Sequence, residues 1–349
     1  MKSLLLYTTA LLFRTIGCLI SKKWLVIWFW IELRSLAIIP LIRSKVKPRS
    51  IEATTKYFLF QAIGRVMLLL GIFFRTMVRG NLEFRGKYDI IRSTVIVLGL
   101  FIKMGIFPGH FWFIDVMQGV KLFSGFFLSI ISKIIPLYII ILIRRDRTAL
   151  ILLVLGIIRV FIGSSFGVQQ TQLRKLIALS SISHLGWMIL VFARTPKIYL
   201  GVALFVSYAV MTLPIFWIGK KFSMSYISKT SKVLIRDIEA KLFIVRILSI
   251  AGFPPLLGFF YKWVMLSFLS VEGNFLVIRI LILSRLLSLY FYLQICVSLY
   301  FNSWPMKKTA IFGAIKKEKK RISIFLIRTK VFVYSAIFYF PVVSTKWVA

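Results

Sequence analysis

Five ionisable side chains lie inside long apolar stretches of this sequence, where a charge is costly. They are Glu32, Lys103, Lys133, His184 and Lys262. A charged side chain at the depth of a lipid bilayer costs at least about 2.5–3.5 kcal/mol on insertion scales, so it usually faces a protein interior or water. A buried lysine can release its proton because desolvation disfavours the ammonium form, and a nearby carboxylate favours that form again. These residues therefore predict proton transfer inside a membrane protein.

Two of these residues have structural alternatives that the sequence leaves open. Glu32 lies in the middle of WFWIELRSL, where it could form an ion pair with Arg14 or Arg34 that only holds helices together. His184 follows a serine by one helical turn in ALSSISHLGW, which suits a hydrogen-bonded structural histidine as well as a relay group. His110 is the only other histidine and no carboxylate cluster accompanies either one, so a metal site is not expected.

The three lysines differ in depth. Lys103 and Lys133 lie near the centres of their apolar stretches, too deep for the ammonium group to reach the membrane surface along an extended side chain. Lys262 lies nearer one end, where that structural role is easier. Arginine stays protonated at any working pH, so the arginines within the spans are expected to form pairs or to reach the surface. These are Arg14, Arg34, Arg65, Arg159, Arg246, Arg279 and Arg285.

Proline residues interrupt two of the apolar stretches that carry these lysines. Pro108 in KMGIFPGHFWF lacks the amide hydrogen that a helix needs and leaves a carbonyl free beside Lys103. Pro254 and Pro255 in AGFPPLLGFFYKW have the same effect, and Lys262 follows them. Free backbone groups at membrane depth survive only where they line a cavity or other protein, and paired broken helices are typical of transport paths. The sequence therefore predicts two broken helices next to buried lysines.

Long apolar helices are the elements that must position these residues. The chain has 349 residues, of which 59% are hydrophobic and 33 are phenylalanine, and a soluble core cannot bury so much apolar surface. We predict an all-α, polytopic membrane protein that forms a single transmembrane domain. A span needs roughly 17–25 mostly apolar residues. Eleven spans are expected, at 3–20, 24–42, 57–74, 93–113, 123–143, 148–168, 176–193, 198–219, 242–269, 275–301 and 324–344.

Basic residues are concentrated in the connections between these spans and give the chain a formal net charge of +37. In a soluble protein this charge would suggest nucleic-acid binding, but short basic loops between spans indicate attraction to anionic lipid instead. Loops on the side of the N-terminus carry more Lys and Arg than the others, so we expect the N-terminus inside and the C-terminus outside. Ser21-Lys22-Lys23 follows the first span in place of a cleavage site, so that span is interpreted as a retained helix.

No cofactor site is expected in this chain. Its two cysteines, Cys18 and Cys296, cannot supply the ligands of an iron–sulfur cluster or a structural zinc ion. The sequence contains no GxGxxG, P-loop or HExxH motif. Any nucleotide, flavin or metal chemistry is therefore assigned to other proteins.

Four segments strongly resemble the subunit 2 family of the mitochondrial respiratory NADH:ubiquinone oxidoreductase, complex I, and a fifth, WIELRSLAIIPLI, resembles that family's early glutamate-bearing helix. The four are KMGIFPGHFWFIDVMQG, LFSGFFLSIISKIIPLY, QTQLRKLIALSSISHLGWMI and AGFPPLLGFFYKW, and all five occur in the family's order and cover roughly residues 24–42 and 93–270. The resemblance implies an antiporter-like fold of two inverted five-helix repeats, each with a broken helix. It places the first repeat at about 3–143, the second at 148–301, and a basic loop with a C-terminal helix at 302–349.

The resemblance also implies a function and a location. The family's key glutamate falls on Glu32, its lysines on Lys103, Lys133 and Lys262, and its histidine on His184. A member is a proton-translocating subunit in the membrane arm, in the mitochondrial inner membrane, with its N-terminus on the matrix side and its C-terminus on the intermembrane-space side. NADH, FMN, iron–sulfur clusters and ubiquinone would belong to other subunits, and neighbouring antiporter-like subunits would be partners.

The sequence departs from the family pattern in two ways. Phe113-Ile114-Asp115 stands where the family usually has Val-Pro-Glu, and the many intramembrane arginines are unusual. Two alternatives remain: a stand-alone cation/proton antiporter subunit, and a structural membrane scaffold whose lysines only hold helices together. The early position of Glu32 and eleven rather than fourteen spans argue against the first. Under the complex I interpretation, Glu32 is expected to act as the electrostatic switch for Lys103.

Overall fold

The computed structural model of the chain describes residues 2–43, 48–79, 90–106, 109–143, 146–195, 198–221, 238–270 and 275–301. Within these ranges the chain forms thirteen α-helices. They are α1 Lys2–Ile20, α2 Trp24–Ile42, α3 Pro48–Arg79, α4 Ile90–Met104, α5 His110–Gly119, α6 Leu122–Ser129, α7 Ile134–Ile143, α8 Asp146–Val168, α9 Leu173–Arg194, α10 Ile198–Lys221, α11 Ile238–Ala251, α12 Leu257–Ser270 and α13 Phe275–Phe301.

These helices confirm the predicted all-α membrane fold. Seven helical segments are long and apolar enough to cross a bilayer, and four shorter apolar helices accompany them. The first ten predicted spans coincide with these segments, and the four short helices account for the first, fourth and ninth spans. The eleventh predicted span, at 324–344, lies outside the described residues.

Helix α9 forms the centre of the bundle. Every residue from Ala178 to Ala193 is buried, and α5, α7, α8, α10 and α12 all pack against it. The closest neighbour is α8, which approaches through Gly156 and Gly163. Small residues let membrane helices approach closely, so van der Waals contact can hold them together where no hydrophobic effect operates between helix and lipid.

The outer helices expose apolar side chains, as expected of a protein surrounded by lipid. Phe13 on α1, Leu59 on α3 and Leu286 on α13 are examples of large side chains that are largely exposed. In contrast, Lys103, Lys133, His184 and Lys262 are buried and Glu32 is half-buried, whereas Arg279 on α13 is exposed. A polytopic membrane protein has this distribution because hydrocarbon, unlike water, accepts apolar surface.

Three of the apolar segments are interrupted. Helix α4 ends at Met104 and α5 begins at His110; helix α11 ends at Ala251 and α12 begins at Leu257. These are the two predicted broken helices, although Pro108 itself lies outside the described residues. The third interruption, a 3-10 turn over Ile131–Lys133 between α6 and α7, was not predicted.

Candidate proton-transfer site

The interruption after α4 is closed by a glycine in the left-handed conformation. Gly105 has a φ of +67°, its amide bonds the carbonyl of Ile102 at 3.1 Å, and the amide of Ile106 bonds the carbonyl of Phe101 at 2.9 Å. This pair of bonds is the Schellman motif, which ends helices cleanly and favours glycine because a Cβ is strained at positive φ. The carbonyl of Lys103, at the end of this helix, accepts a hydrogen bond from the Gln61 side chain at 3.0 Å.

The interruption after α11 is built in the same way. Gly252 has a φ of +87°, its amide bonds the carbonyl of Ser249 at 3.1 Å, and the amide of Phe253 bonds the carbonyl of Leu248 at 3.1 Å. In both breaks, therefore, a glycine ends the helix, and a proline follows shortly after it in the sequence. The prolines were recognised in the sequence, but the two glycines were not, although each directly follows the last helical residue and precedes a proline by two or three positions.

Lys262 binds directly to the second interruption. Its Nζ atom donates to the carbonyl of Ala251 at 3.0 Å and to the Ser288 hydroxyl on α13 at 3.2 Å. Pro255 is the residue whose missing amide frees the Ala251 carbonyl, so the lysine occupies the acceptor that the break creates. The side chain is buried, and the ammonium group is held by protein at this depth rather than by the membrane surface.

Lys103 lies in the last turn of α4 and is buried against α3. A Cβ added at Gly64 of α3 would lie 2.7 Å from the Cγ of Lys103, so the two helices meet closely around the aliphatic part of the lysine. The Nζ atom has no hydrogen-bond partner within the described part of the chain. A buried ammonium group without a partner is costly. No acceptor in the described part of the chain therefore holds the proton of Lys103 in place.

Glu32 forms an ion pair with Arg65 of α3. The carboxylate oxygen Oε1 and the guanidinium nitrogen Nη1 lie 2.6 Å apart, and both side chains are partly buried. The two partners considered from the sequence bind backbone instead: Arg14 donates to the carbonyl of Leu33 at 2.5 Å and Arg34 to that of Ile131 at 3.4 Å. Pairing across helices depends on how each helix is rotated, which the sequence alone did not reveal.

The Glu32–Arg65 pair nevertheless lies close to the first lysine. Lys103 interacts electrostatically with Arg34, Arg65 and Glu32 together. The charges of one carboxylate and two guanidinium groups therefore act on a single buried ammonium group. A movement of Glu32 away from Arg65 would change the electric field at Lys103, as the predicted switch requires. The switch itself stays a prediction.

Lys133 lies in the third interruption and is completely buried. Its Nζ atom donates to the Ser181 hydroxyl on α9 at 3.3 Å and lies 4.0 Å from the centre of the Phe113 ring. The contact with the aromatic ring stabilises the cation, since the face of the ring is electron-rich. Pro136, which cannot bond the carbonyl of Ser132, is the signal in the sequence that could have indicated this break.

His184 lies on the buried face of α9 between two tyrosines. The ring centres of Tyr208 on α10 and Tyr261 on α12 lie 5.6 and 5.7 Å from that of the histidine. Its Nδ1 atom has no hydrogen-bond partner within the described residues. Lys262 is close enough to interact with it electrostatically. The histidine therefore keeps a free ring nitrogen in a closed, aromatic environment.

Two of the seven arginines predicted to lie within spans are buried as deeply as the lysines. The exposed fraction is 4% for Arg34 and 0% for Arg159, so neither reaches the membrane surface, which is one of the two roles expected for these arginines. The Nε atom of Arg159 donates to the carbonyl of Ile182 at 2.7 Å, while its Nη1 and Nη2 atoms have no partner in the described part of the chain. Arg159 also interacts electrostatically with Lys133. It is therefore a fixed positive charge beside the second lysine.

The site consists of two neighbouring groups. The first contains Glu32, Arg65 and Lys103 on α2, α3 and α4. The second contains Lys133, His184 and Lys262, which converge on α9 from the third and second interruptions. Among the described residues, no set of three or more His, Cys, Asp or Glu side chains could hold a metal ion. The chemistry available here is the binding and release of protons by amine, imidazole and hydroxyl groups.

Comparison with known proteins confirms the resemblance found in the sequence motifs. The model for the transmembrane family of NADH:quinone oxidoreductases and Mrp antiporters matches residues 21–288. NADH-ubiquinone oxidoreductase chain 2 of Danio rerio is 37% identical over 289 residues, covering 82% of each protein. The protein of the same name from Salmo salar is 36% identical over 297 residues, covering 85% of this chain and 84% of the relative.

Solved structures share the fold at lower identity. A chain of respiratory complex I from Thermus thermophilus has a TM-score of 0.78 at 21% identity and covers 91% of this chain and 73% of its own. A chain of the archaeal membrane-bound sulfane sulfur reductase has a TM-score of 0.82 at 16% identity, covering 96% of this chain and 72% of its own. With the two sequence relatives, these findings establish that the chain belongs to the NADH:quinone oxidoreductase/Mrp antiporter family and, within it, to the chain 2 subunits of NADH-ubiquinone oxidoreductase.

Proposed function

We propose that this chain is the membrane-arm subunit through which an NADH:ubiquinone oxidoreductase moves protons, driven by quinone reduction elsewhere in the complex. One observation carries the proposal. The side chains of Lys103, Lys133 and Lys262 are 4%, 0% and 2% exposed, and each lies at an interruption of an apolar helix. Burial of three cations costs several kcal/mol each after relaxation, and a structural scaffold could use apolar residues at a lower cost.

The proton moves along a row of groups in this proposal. Glu32 controls the charge around Lys103, with Arg65 as the competing partner of the carboxylate. Lys133, His184 and Lys262 continue the row around α9. The free backbone and the polar side chains at the breaks supply the polar environment that a proton needs inside the membrane.

The interruptions of the backbone belong to this function. The turn with Pro254 and Pro255 gives Lys262 its carbonyl partner, and we assign Pro108 the same purpose beside Lys103. The two breaks lie in the two halves that the resemblance describes as inverted repeats, about 3–143 and 148–301. The basic loop and the last helix expected at 302–349 lie outside the described residues.

The setting of the chain follows from the same proposal. It resides in the mitochondrial inner membrane with the N-terminus towards the matrix and the C-terminus towards the intermembrane space. Its partners are other membrane-arm subunits, including antiporter-like neighbours, and anionic lipid attracted by the basic loops. The chain binds no nucleic acid and holds no cofactor; NADH, FMN, iron–sulfur clusters and ubiquinone are bound by other subunits.

The test is the number of protons moved per electron by the assembled complex in sealed vesicles. Lys103→Met should lower this ratio while the complex still assembles and oxidises NADH. Lys103→Arg should not restore it, because arginine cannot release the proton. Lys56→Met serves as the matched control, since Lys56 is an exposed lysine on α3. A wild-type ratio in Lys103→Met would reduce this lysine to a structural residue.

A further inference from the structure

In the second group of residues, no described hydrogen bond connects Lys133 to the pair formed by His184 and Lys262. On one side, Lys133 donates to the hydroxyl of Ser181 at 3.3 Å. On the other side, His184 lies within electrostatic reach of Lys262. Ser181 and His184 are three residues apart on α9 and share one face of the helix, about 4.5 Å apart along its axis. A proton on Lys133 reaches His184 only if a further group connects the two.

Tyr208 lies near both Ser181 and His184. It is completely buried on α10, and its ring centre lies 5.6 Å from that of His184. Its hydroxyl lies beside Ser181, and Arg159 is within electrostatic reach of it. The hydroxyl has no hydrogen bond that satisfies normal geometry within the described part of the chain. A buried hydroxyl without a partner is costly, so its position calls for an explanation.

The neighbouring tyrosines do not occupy the same position. Tyr261 also flanks His184, at 5.7 Å between ring centres, but its electrostatic neighbour is Tyr208 rather than Ser181. Tyr292 on α13 interacts with Ser180 rather than with Ser181. Of the three tyrosines around this part of α9, Tyr208 is the one that approaches both Ser181 and His184.

We propose that Tyr208 is a proton-relay residue that connects Lys133 to His184 through the hydroxyl of Ser181. The inference rests on the function proposed above and names a group that carries it out. The relay also explains why the Tyr208 hydroxyl has no hydrogen-bond partner in the described part of the chain: the hydroxyl is free to accept one proton and donate another. The Nδ1 atom of His184, which is free as well, is the acceptor at the end of the relay.

The transfer conserves protons at every step. The Lys133 ammonium gives one proton to Ser181 Oγ, and Ser181 gives its own hydroxyl proton to Tyr208 Oη. Tyr208 then gives its phenol proton to His184 Nδ1, so that one N–H bond breaks at Lys133 and one forms at His184. Ser181 now donates to the carbonyl of Ala178 at 2.8 Å, and its hydroxyl must turn from that carbonyl to Tyr208 for the transfer to occur.

The experiment compares three variants of the assembled complex in sealed vesicles, with protons moved per electron as the readout. Tyr208→Phe removes the hydroxyl and keeps the ring, so its packing against His184 is preserved. We expect it to lower the ratio as much as Lys133→Met does, and we expect the double variant to lower it no further, because both interrupt one path. Tyr292→Phe is the matched control and should keep the wild-type ratio, since this buried tyrosine lies off the relay.

The outcomes separate this inference from the function it rests on. A wild-type ratio in Tyr208→Phe, together with a reduced ratio in Lys133→Met, would overturn the relay and leave the proposed function standing. Wild-type ratios in both would contradict the proposed function itself. Ser181→Ala provides a second, independent variant: it should reproduce the loss, and full proton transfer without this hydroxyl would also overturn the relay.

Discussion

Replacement of Gly105 by alanine tests whether the first interruption positions the second lysine. The φ of Gly105 is +67°, and an added Cβ would lie 2.5 Å from the Cβ of Phe113. A left-handed conformation costs an L-residue about 1–2 kcal/mol. Atoms forced into a packed interior cost about 1–3 kcal/mol more. The sum is about 2–5 kcal/mol. At 1.4 kcal/mol per factor of ten, it shifts the equilibrium from the native conformation of residues 105–106 towards a rearranged one by roughly thirtyfold or more.

The functional effect follows from what Phe113 contacts. Its ring centre lies 4.0 Å from the Nζ atom of Lys133, so a Phe113 displaced by the new methyl group leaves the lysine without its aromatic partner. Gly105→Ala should therefore lower both the thermal midpoint of the purified complex and the number of protons moved per electron. Thermal unfolding in detergent and proton uptake in sealed vesicles measure the two quantities.

Gly109 provides the matched control, because it directly precedes α5 at the other end of the same interruption. Its φ is −86°, and the nearest atoms to an added Cβ lie 3.6 Å away, an ordinary contact distance. Gly109→Ala should therefore behave as the wild type in both assays. Asparagine tolerates the left-handed conformation better than alanine, so Gly105→Asn relieves the strain but not the clash and should give an intermediate result. Wild-type behaviour of Gly105→Ala would refute the reasoning.

Three further predictions follow from other contacts. Removal of one partner of the Glu32–Arg65 pair, whose atoms lie 2.6 Å apart, should lower the free energy of unfolding by about 1.5–3 kcal/mol. In a double-mutant cycle with Glu32→Gln and Arg65→Met, the double variant should lose less stability than the sum of the two single variants, and additive losses would contradict the pairing. Gly64→Val should lower the number of protons moved per electron by an assembled complex, because a Cβ at this position lies 2.7 Å from the Cγ of Lys103. An unchanged ratio would show that α3 and α4 can move apart without an effect on Lys103. Lys56→Met should change neither stability nor proton transfer, since its ion pairs are exposed, and a clear loss would assign this lysine a role.

The sequence predicted the spans and the two proline breaks because each depends on a local property. Apolar length determines whether a segment crosses the membrane, and a proline removes a hydrogen bond wherever it stands. The first ten spans lie where hydropathy placed them. The burial of Lys103 and Lys133 was also predictable, since a lysine far from both ends of a span has no route to water except through the protein.

The contacts between helices were not predictable in the same way. The partner of Glu32 is Arg65, 33 positions along the chain, and the choice depends on the rotation and depth of α2 and α3, which hydropathy does not determine. The proximity of Tyr208 to both Ser181 and His184 depends likewise on how α10 lies against α9. Two signals were present and overlooked: the glycine after each broken helix and Pro136 after Lys133.

The central claim is that the buried lysines carry protons, and the most direct test is the proton-to-electron ratio of an assembled complex with Lys133→Met. Lys133 is completely buried and binds Ser181 at the centre of the proposed row, so no path through this group can avoid it. The account predicts that the variant oxidises NADH and moves fewer protons per electron than both the wild type and Lys56→Met. An unchanged ratio in fully assembled Lys133→Met complex would contradict the account.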